Sequence, residues 1–252
     1  VRTGDLVLLI DYFGFPCDPK CASMARERGA WVLEDACQAL LTGNVGQCAN
    51  FVLFSPRKFL GVPDGGVLVA KSDIGLPNIA LDPAPGPWCL KTLEAAILRR
   101  EFDRYGGSRR WFDLFRAIEA TFPIGAYAMS ELSRTLLVHG FDYQTIAKRR
   151  RENYAFLARE LRDIAVFPDL PSEVVPMGFP IRVAERDRVR EALFEGGIYP
   201  PVHWETRGHV PENFKESHRL SQDIMTLLCD QRYDREDMRC TISRLRGGHV
   251  AI

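Results

Sequence analysis

A chain of 252 residues, 46% hydrophobic and 26% charged, is long enough for one large or two modest domains with a real core. Its formal net charge is zero, which argues against a basic surface for nucleic acid or for an anionic membrane. No apolar run approaches the length of a membrane span, no signal-peptide pattern opens the sequence, and seven scattered cysteines suit reduced cytoplasmic thiols better than a disulfide framework. Cys17 and Cys21 have no matching second pair, so they read as small buried hydrophobes and no metal site is expected.

The first 70 residues alternate strands and helices. "LVLLI" (6–10) reads as a strand, and "DPKCASMARERGA" as a helix that starts near Asp18 and stops at Gly29. "WVL" (31–33) is a strand running into the carboxylates Glu34 and Asp35; "NFVLFS" and "GVLVA" are two more. These short apolar runs lack in/out alternation. That predicts a sheet covered on both faces, with parallel strands where helical crossovers join them. Pro77, Pro83, Pro85 and Pro87 mark 75–88 as a loop. Helical patterns follow over 91–105 and 109–120, and "MSELSRTLLVHG" is a helix stopped by Gly140. In the long amphipathic helix "DYQTIAKRRRENYAFLARELRD", Ile146, Tyr154, Leu157 and Leu161 share a face, and 148–151 reads as its solvated side. The character then changes. "VVPMGFPIRV" is a strand, "RDRVREALFEGG" a helix, "IYPPVHWE" an extended segment, and helices over 220–229 and 235–245 close the chain. The organisation predicted is α/β: a large domain with a mostly parallel sheet over 1–145 and a small α/β domain over 146–252.

Three features align. Asp35 stands at the C-terminal end of a predicted strand, where ligand sites open in α/β sheets. Gln38 follows three residues later. Lys58 lies beyond the next strand, with Ser55 three residues before it. Ser-x-x-Lys alone is a weak signal; the weight comes from "LEDACQA", "FSPRK" and "PDGG" together, each at a strand end. Each residue has a plainer reading. Lys58 can be a loop lysine, Asp35 the cap of the turn after its strand, Gln38 a surface amide and Ser55 a turn hydroxyl.

"VLEDACQAL" followed by "FSPRKFLGVPDGGVLVA" resembles the DegT/DnrJ/EryC1/StrS sugar aminotransferases, which are fold-type-I pyridoxal-phosphate (PLP) enzymes. "KRRRENYAFL", "GIYPPVHWE" and "LSQDIMTLLCDQRYDREDM" are similar to that family's C-terminal domain. The resemblance implies that Lys58 binds PLP covalently and then shuttles a proton between substrate and cofactor. A lysine in that role needs a free amine part of the time, which burial beside a cationic group provides. Asp35 would pair with the pyridine nitrogen and keep it protonated, so that the ring acts as an electron sink. Gln38 would bond the ring oxygen and Ser55 the phosphate, although many members carry that serine two positions earlier, where Leu53 stands here. Gly65 and Gly66 would let the backbone pass close to the site. His203, in "YPPVHW", would face the substrate, or be a packing histidine. The expected reaction moves an amino group from glutamate or glutamine to a nucleotide-linked keto sugar, in a cytoplasmic homodimer. Relatives that act as dehydratases carry histidine at the lysine position, so Lys58 argues for transamination.

The chain also departs from the family. Members usually carry a glycine-asparagine pattern before "M-S-E-L" that reaches the partner subunit's cofactor phosphate; here the stretch is "PIGAYAMSEL", with Ala126 and Ala128. The chain is already in a strand by Leu6. The resemblance therefore implies that an early part of the large domain is absent, that this chain alone binds PLP weakly or not at all, and that it is a portion of a longer protein or a decayed homologue. The alternative reading is a non-catalytic homologue that acts as a binding protein. A third, a Ser55–Lys58 acylating pair, conflicts with Pro56, since such a pair sits in the first turn of a helix.

Overall fold

A computed structural model describes residues 1–247 and divides the chain into two units. The first comprises Val1–Ile10, Cys17–Leu40 and Gly46–Asp142. Its sheet has the order β1 (Leu6–Ile10), β2 (Trp31–Asp35), β3 (Phe51–Phe54), β4 (Val67–Ala70). The first two pairings are parallel and the last is antiparallel. α1 (Pro19–Glu27) makes the crossover from β1 to β2. The Asp18 side chain caps it by accepting from the Lys20 N–H at 2.9 Å, and Gly29 leaves it with a φ of +77° that favours glycine. The helix packs on β2 and buries Ala22 and Ala25.

One sheet face buries Val32 and Val52. The other does not match the expectation of a sheet covered on both sides. Register places Leu6, Leu8, Trp31 and Leu68 on it, and their exposures are 62%, 53%, 45% and 52%. A continuous apolar run does not by itself say what lies against each face of its strand.

α2 (Gly86–Tyr105) and α3 (Arg110–Ala120) form a packed pair. α2 starts earlier than the run of prolines suggested, because Pro87 sits in its first turn, where a missing N–H costs nothing. α4 (Glu131–His139) is capped by Ser130, whose Oγ accepts from the Ser133 N–H.

The second unit gathers 11–16, 41–45 and the chain from Tyr143 onward. Thr42 shows why the two short segments belong to it. Its buried hydroxyl donates to the Gly14 carbonyl at 2.8 Å and accepts from the Val175 N–H at 3.0 Å. Gly14, at φ +97°, approaches so closely that a Cβ there would lie 2.5 Å from the Val175 oxygen. The core is formed by α5 (Tyr143–Glu160), α6 (Arg186–Glu195), α8 (Arg235–Gly247) and a two-stranded antiparallel sheet of β5 (Phe179–Arg182) and β6 (Ile224–Leu227). Tyr154, Leu157, Leu161, Phe179, Met225 and Leu245 are among its fully buried members. α7 spans Lys215–Asp223 and ends there; the helix read over 220–229 is overturned at Ile224, because "IMTL" pairs with β5 and all four residues are buried.

The basic run in α5 is also not simply solvated. Lys148 and Arg149 are exposed, but Arg150 is 2% exposed. It donates to Gln231 Oε1 at 2.7 Å and to the Pro176 and Met177 carbonyls at 3.1 Å each. Burial lowers its pKa, and the Asp230 carboxylate opposes that. Arg150→Met would leave those acceptors unpaired. A loss of about 3 kcal/mol in urea denaturation is expected, against less than about 0.5 kcal/mol for Arg149→Met. Equal losses would show that the buried bonds contribute nothing.

Candidate active site

β2 and β3 end side by side, with Asp35 in register with Leu53. Beyond each end the chain turns sharply, and the two turns carry the polar groups. After β2, the Asp35 carboxylate accepts from the Cys37 N–H at 2.9 Å, closing the turn two residues on. The plainer reading of Asp35 as a turn cap is therefore realised, and the same bond fixes the carboxylate's direction. After β3, Pro56–Lys58 forms one 3-10 turn with Ser55 extended before it. Lys58 is exposed, and its N–H donates to the Ser55 carbonyl at 3.2 Å.

Cys37 links the two turns electrostatically. Burial, then a hydrogen bond to the Asp35 carboxylate and that group's charge, push its thiol up to about 12, while the Lys58 ammonium pulls the other way. At neutral pH Cys37 is thus a protonated thiol. Asp35 and Lys58 both act on it, in opposite directions. Sequence reasoning passed over Cys37, although it lies inside the quoted motif.

Cys37, Ser55, Arg57, Asp64 and Gly65 line a cavity of about 480 Å3 in the first unit. Its far wall is aromatic: Trp88, Phe122 and Tyr127. The Arg57 guanidinium lies over the Trp88 ring at 5.1 Å and the Phe122 ring at 5.5 Å, and bonds Glu119 at 3.1 Å. Asp64, buried, holds the start of α4. Its carboxylate accepts from the Ser130 N–H at 2.7 Å and hydroxyl at 2.5 Å, and from the Ser133 hydroxyl. Gly65, at φ +104°, lies against Met129, where a Cβ would come within 2.4 Å of the Met129 side chain. "PDGG" is thus first a docking device for "MSELS", a role legible from the sequence only once Asp64 is paired with the Ser130 cap. Asp64→Ala is expected to cost about 3 kcal/mol in urea denaturation through the lost charge-assisted bonds. A loss under about 1 kcal/mol would contradict that reading.

The remaining candidates are placed as follows. Gln38 is buried, 6% exposed, rather than a surface amide. His203 belongs to the second unit and is half-buried there. Its Nδ1 lies 3.2 Å from the Thr226 hydroxyl, and its ring meets Phe13 edge-on at 5.7 Å. Ala126 and Ala128 bracket Tyr127 in a bridge with Asp82, made through the Asp82 N–H to Ala126 O and the Ala128 N–H to Asp82 O, both 2.8 Å.

The groups suit, in kind, a pyridine cofactor bearing an aldehyde and a phosphate: an exposed amine at Lys58, a fixed carboxylate at Asp35, and a cavity lined by Ser55, Gly65 and Gly66 but not by Lys58, Asp35 or Gln38. A mostly parallel sheet with such groups at its strand ends has the architecture of the fold-type-I transferases. The chain belongs to the DegT/DnrJ/EryC1/StrS aminotransferase family, whose model matches residues 2–246. Among curated proteins none matches. Solved structures do. A DegT DnrJ EryC1 StrS aminotransferase from Brucella abortus is 16% identical with a TM-score of 0.62, over 97% of this chain and 64% of that one. The putative sugar aminotransferase Spr1654 from Streptococcus pneumoniae, solved in its PMP form, is 15% identical with a TM-score of 0.66, over 97% and 69%. PseC from Helicobacter pylori, an aminotransferase of pseudoaminic acid biosynthesis, is 14% identical with a TM-score of 0.63, over 97% and 66%. At these identities the likeness establishes the fold. The chain spans about two thirds of the length of the structures it matches.

Proposed function

We propose that this chain carries the cofactor lysine of a PLP-dependent aminotransferase that moves an amino group from glutamate or glutamine to a nucleotide-linked keto sugar. The observation that carries the reading is the meeting of Asp35 and Lys58 around Cys37 at two adjacent strand ends, in a member of an aminotransferase family.

When bound, PLP supplies an electron sink for the substrate carbon. The residues here have distinct tasks. The Lys58 amine would hold the cofactor and, when free, would move a proton at the substrate carbon. Asp35, oriented by the Cys37 N–H, would keep a proton on the ring nitrogen. Gln38 would bond the ring oxygen and Ser55 the phosphate, and Gly65 and Gly66 would let the backbone pass close by. Ala126 and Ala128 have no side-chain donor to offer the phosphate. By resemblance, His203 is the candidate contact for the acceptor.

In this reading 1–145 is the cofactor domain and 146–252 the small domain, with 11–16 and 41–45 grouped with the second unit. Free cysteines throughout the described residues favour the cytoplasm. Among the described residues no helix is long and apolar enough to cross a membrane. Exposed Leu90, Ile97 and Phe115 on α2 and α3 favour a homodimer. The test is a coupled assay with PLP, L-glutamate and a nucleotide-linked keto sugar. Stoichiometric 2-oxoglutarate and amino sugar support the reading; PLP attachment with no amino transfer from any donor would favour a binding protein.

A further inference from the structure

We propose that the surface shared by α5 and α8 in the second unit is a binding groove for an oligophosphate. Two cavities of about 490 and 430 Å3 lie along it and share Phe156, Arg159 and Arg235. Arg149 lines the first, Arg239 and Arg246 the second. Five guanidinium groups thus face one continuous groove, against two lining carboxylates, Glu152 and Glu160. In a chain of zero formal net charge that concentration is local.

Phe156 organises it. The guanidinium carbons of Arg159 and Arg235 both lie over its ring at 4.9 Å, and that of Arg239 at 6.0 Å. A ring engages a guanidinium through its face, which leaves the N–H edges available for oxyanions. Part of the charge is already spoken for. Arg159 and Arg246 share Glu160 at 3.0 and 3.5 Å, and Arg239 pairs with Glu236 at 2.9 Å. Arg149 and Arg235 form no salt bridge among the described residues, although the Arg149 charge acts on the Asp234 carboxylate. Like charges held this close repel, and an anion that bridges them relieves the repulsion. Two adjoining cavities with arginines along both suit a chain of two or three phosphoryl groups, each taking charge-assisted bonds from a guanidinium. The inference does not rest on the aminotransferase reading, since every residue it uses is on α5 or α8.

The test is calorimetric titration of the whole chain with inorganic tripolyphosphate and, separately, with a nucleoside triphosphate, at matched ionic strength. Saturable binding of tripolyphosphate is expected. The double variant Arg159→Gln/Arg235→Gln should weaken it at least about tenfold. Phe156→Leu, which leaves every charge in place, should weaken it about threefold. Arg28→Gln/Arg188→Gln removes the same charge outside the groove and should leave it unchanged. Tighter binding of the nucleotide would identify a nucleotide tail as the source; equal binding, a free oligophosphate. No saturable heat, or an equal loss in the two double variants, would overturn the proposal.

Discussion

Lys58→Ala is expected to abolish amino transfer and the visible absorbance of covalently bound PLP, while the far-UV spectrum and unfolding midpoint stay close to those of the parent chain. The first half follows from chemistry. Removing the amine removes both the attachment point and the group that moves the substrate proton, and no other amine stands between β3 and β4. The second half follows from structure. Lys58 is exposed on a single 3-10 turn, and what the turn needs from it is its backbone N–H, which donates to Ser55 and survives the substitution. The turn itself is fixed by buried Pro56 and Phe59. Turnover near that of the parent chain in this variant would remove Lys58 from the mechanism.

Asp35→Asn separates attachment from chemistry. The asparagine oxygen can still accept from the Cys37 N–H, so the turn after β2 and the fold persist. What disappears is the negative charge. An amide cannot hold a proton on a pyridine nitrogen by charge, so the stabilisation that develops in the transition state is lost while cofactor attachment at Lys58 remains. Single-turnover rates should fall about 100-fold or more, by analogy with removal of one preorganised electrostatic partner. The substitution also reads out on Cys37. Its thiol pKa should drop from about 12, because the carboxylate is one of the groups raising it, though burial, the largest cause, remains. Rates within a few-fold of the parent would show that Asp35 is only the cap of its turn.

The parts legible in the sequence were those written in local chemistry. Asp18 and Gly29 bound α1 because capping and left-handed backbone are properties of single residues. Strands β1 to β4 were visible as apolar runs. The lysine and aspartate segments stood out because both carry ionisable groups directly after such runs. Other features depended on partners distant in the chain. "IMTL" reads equally as a buried helix turn until β5 is there to pair with it. Arg150 looks like any member of a basic run; only the carbonyls at Pro176 and Met177 make it a core residue. The assignment of 11–16 and 41–45 to the second unit turns on the Thr42 hydroxyl and the close approach at Gly14, neither of which has a local signature. The open sheet face bearing Leu6, Leu8 and Trp31 was read as covered, since apolar sequence does not say what lies against it.

The claim at the centre is that this chain's own Lys58 is the amine that receives PLP. The direct measurement is borohydride reduction of the 252-residue chain across a PLP titration, followed by peptide mapping of the fixed label. The chain offers internal competitors in Lys20, Lys71, Lys91, Lys148 and Lys215. If the strand-end cluster forms the site, label appears on Lys58 first and saturates there before any other lysine is modified, and Asp35→Asn leaves that preference in place. Label spread over the lysines in proportion to their exposure, with Lys58 no different from Lys148, would contradict it.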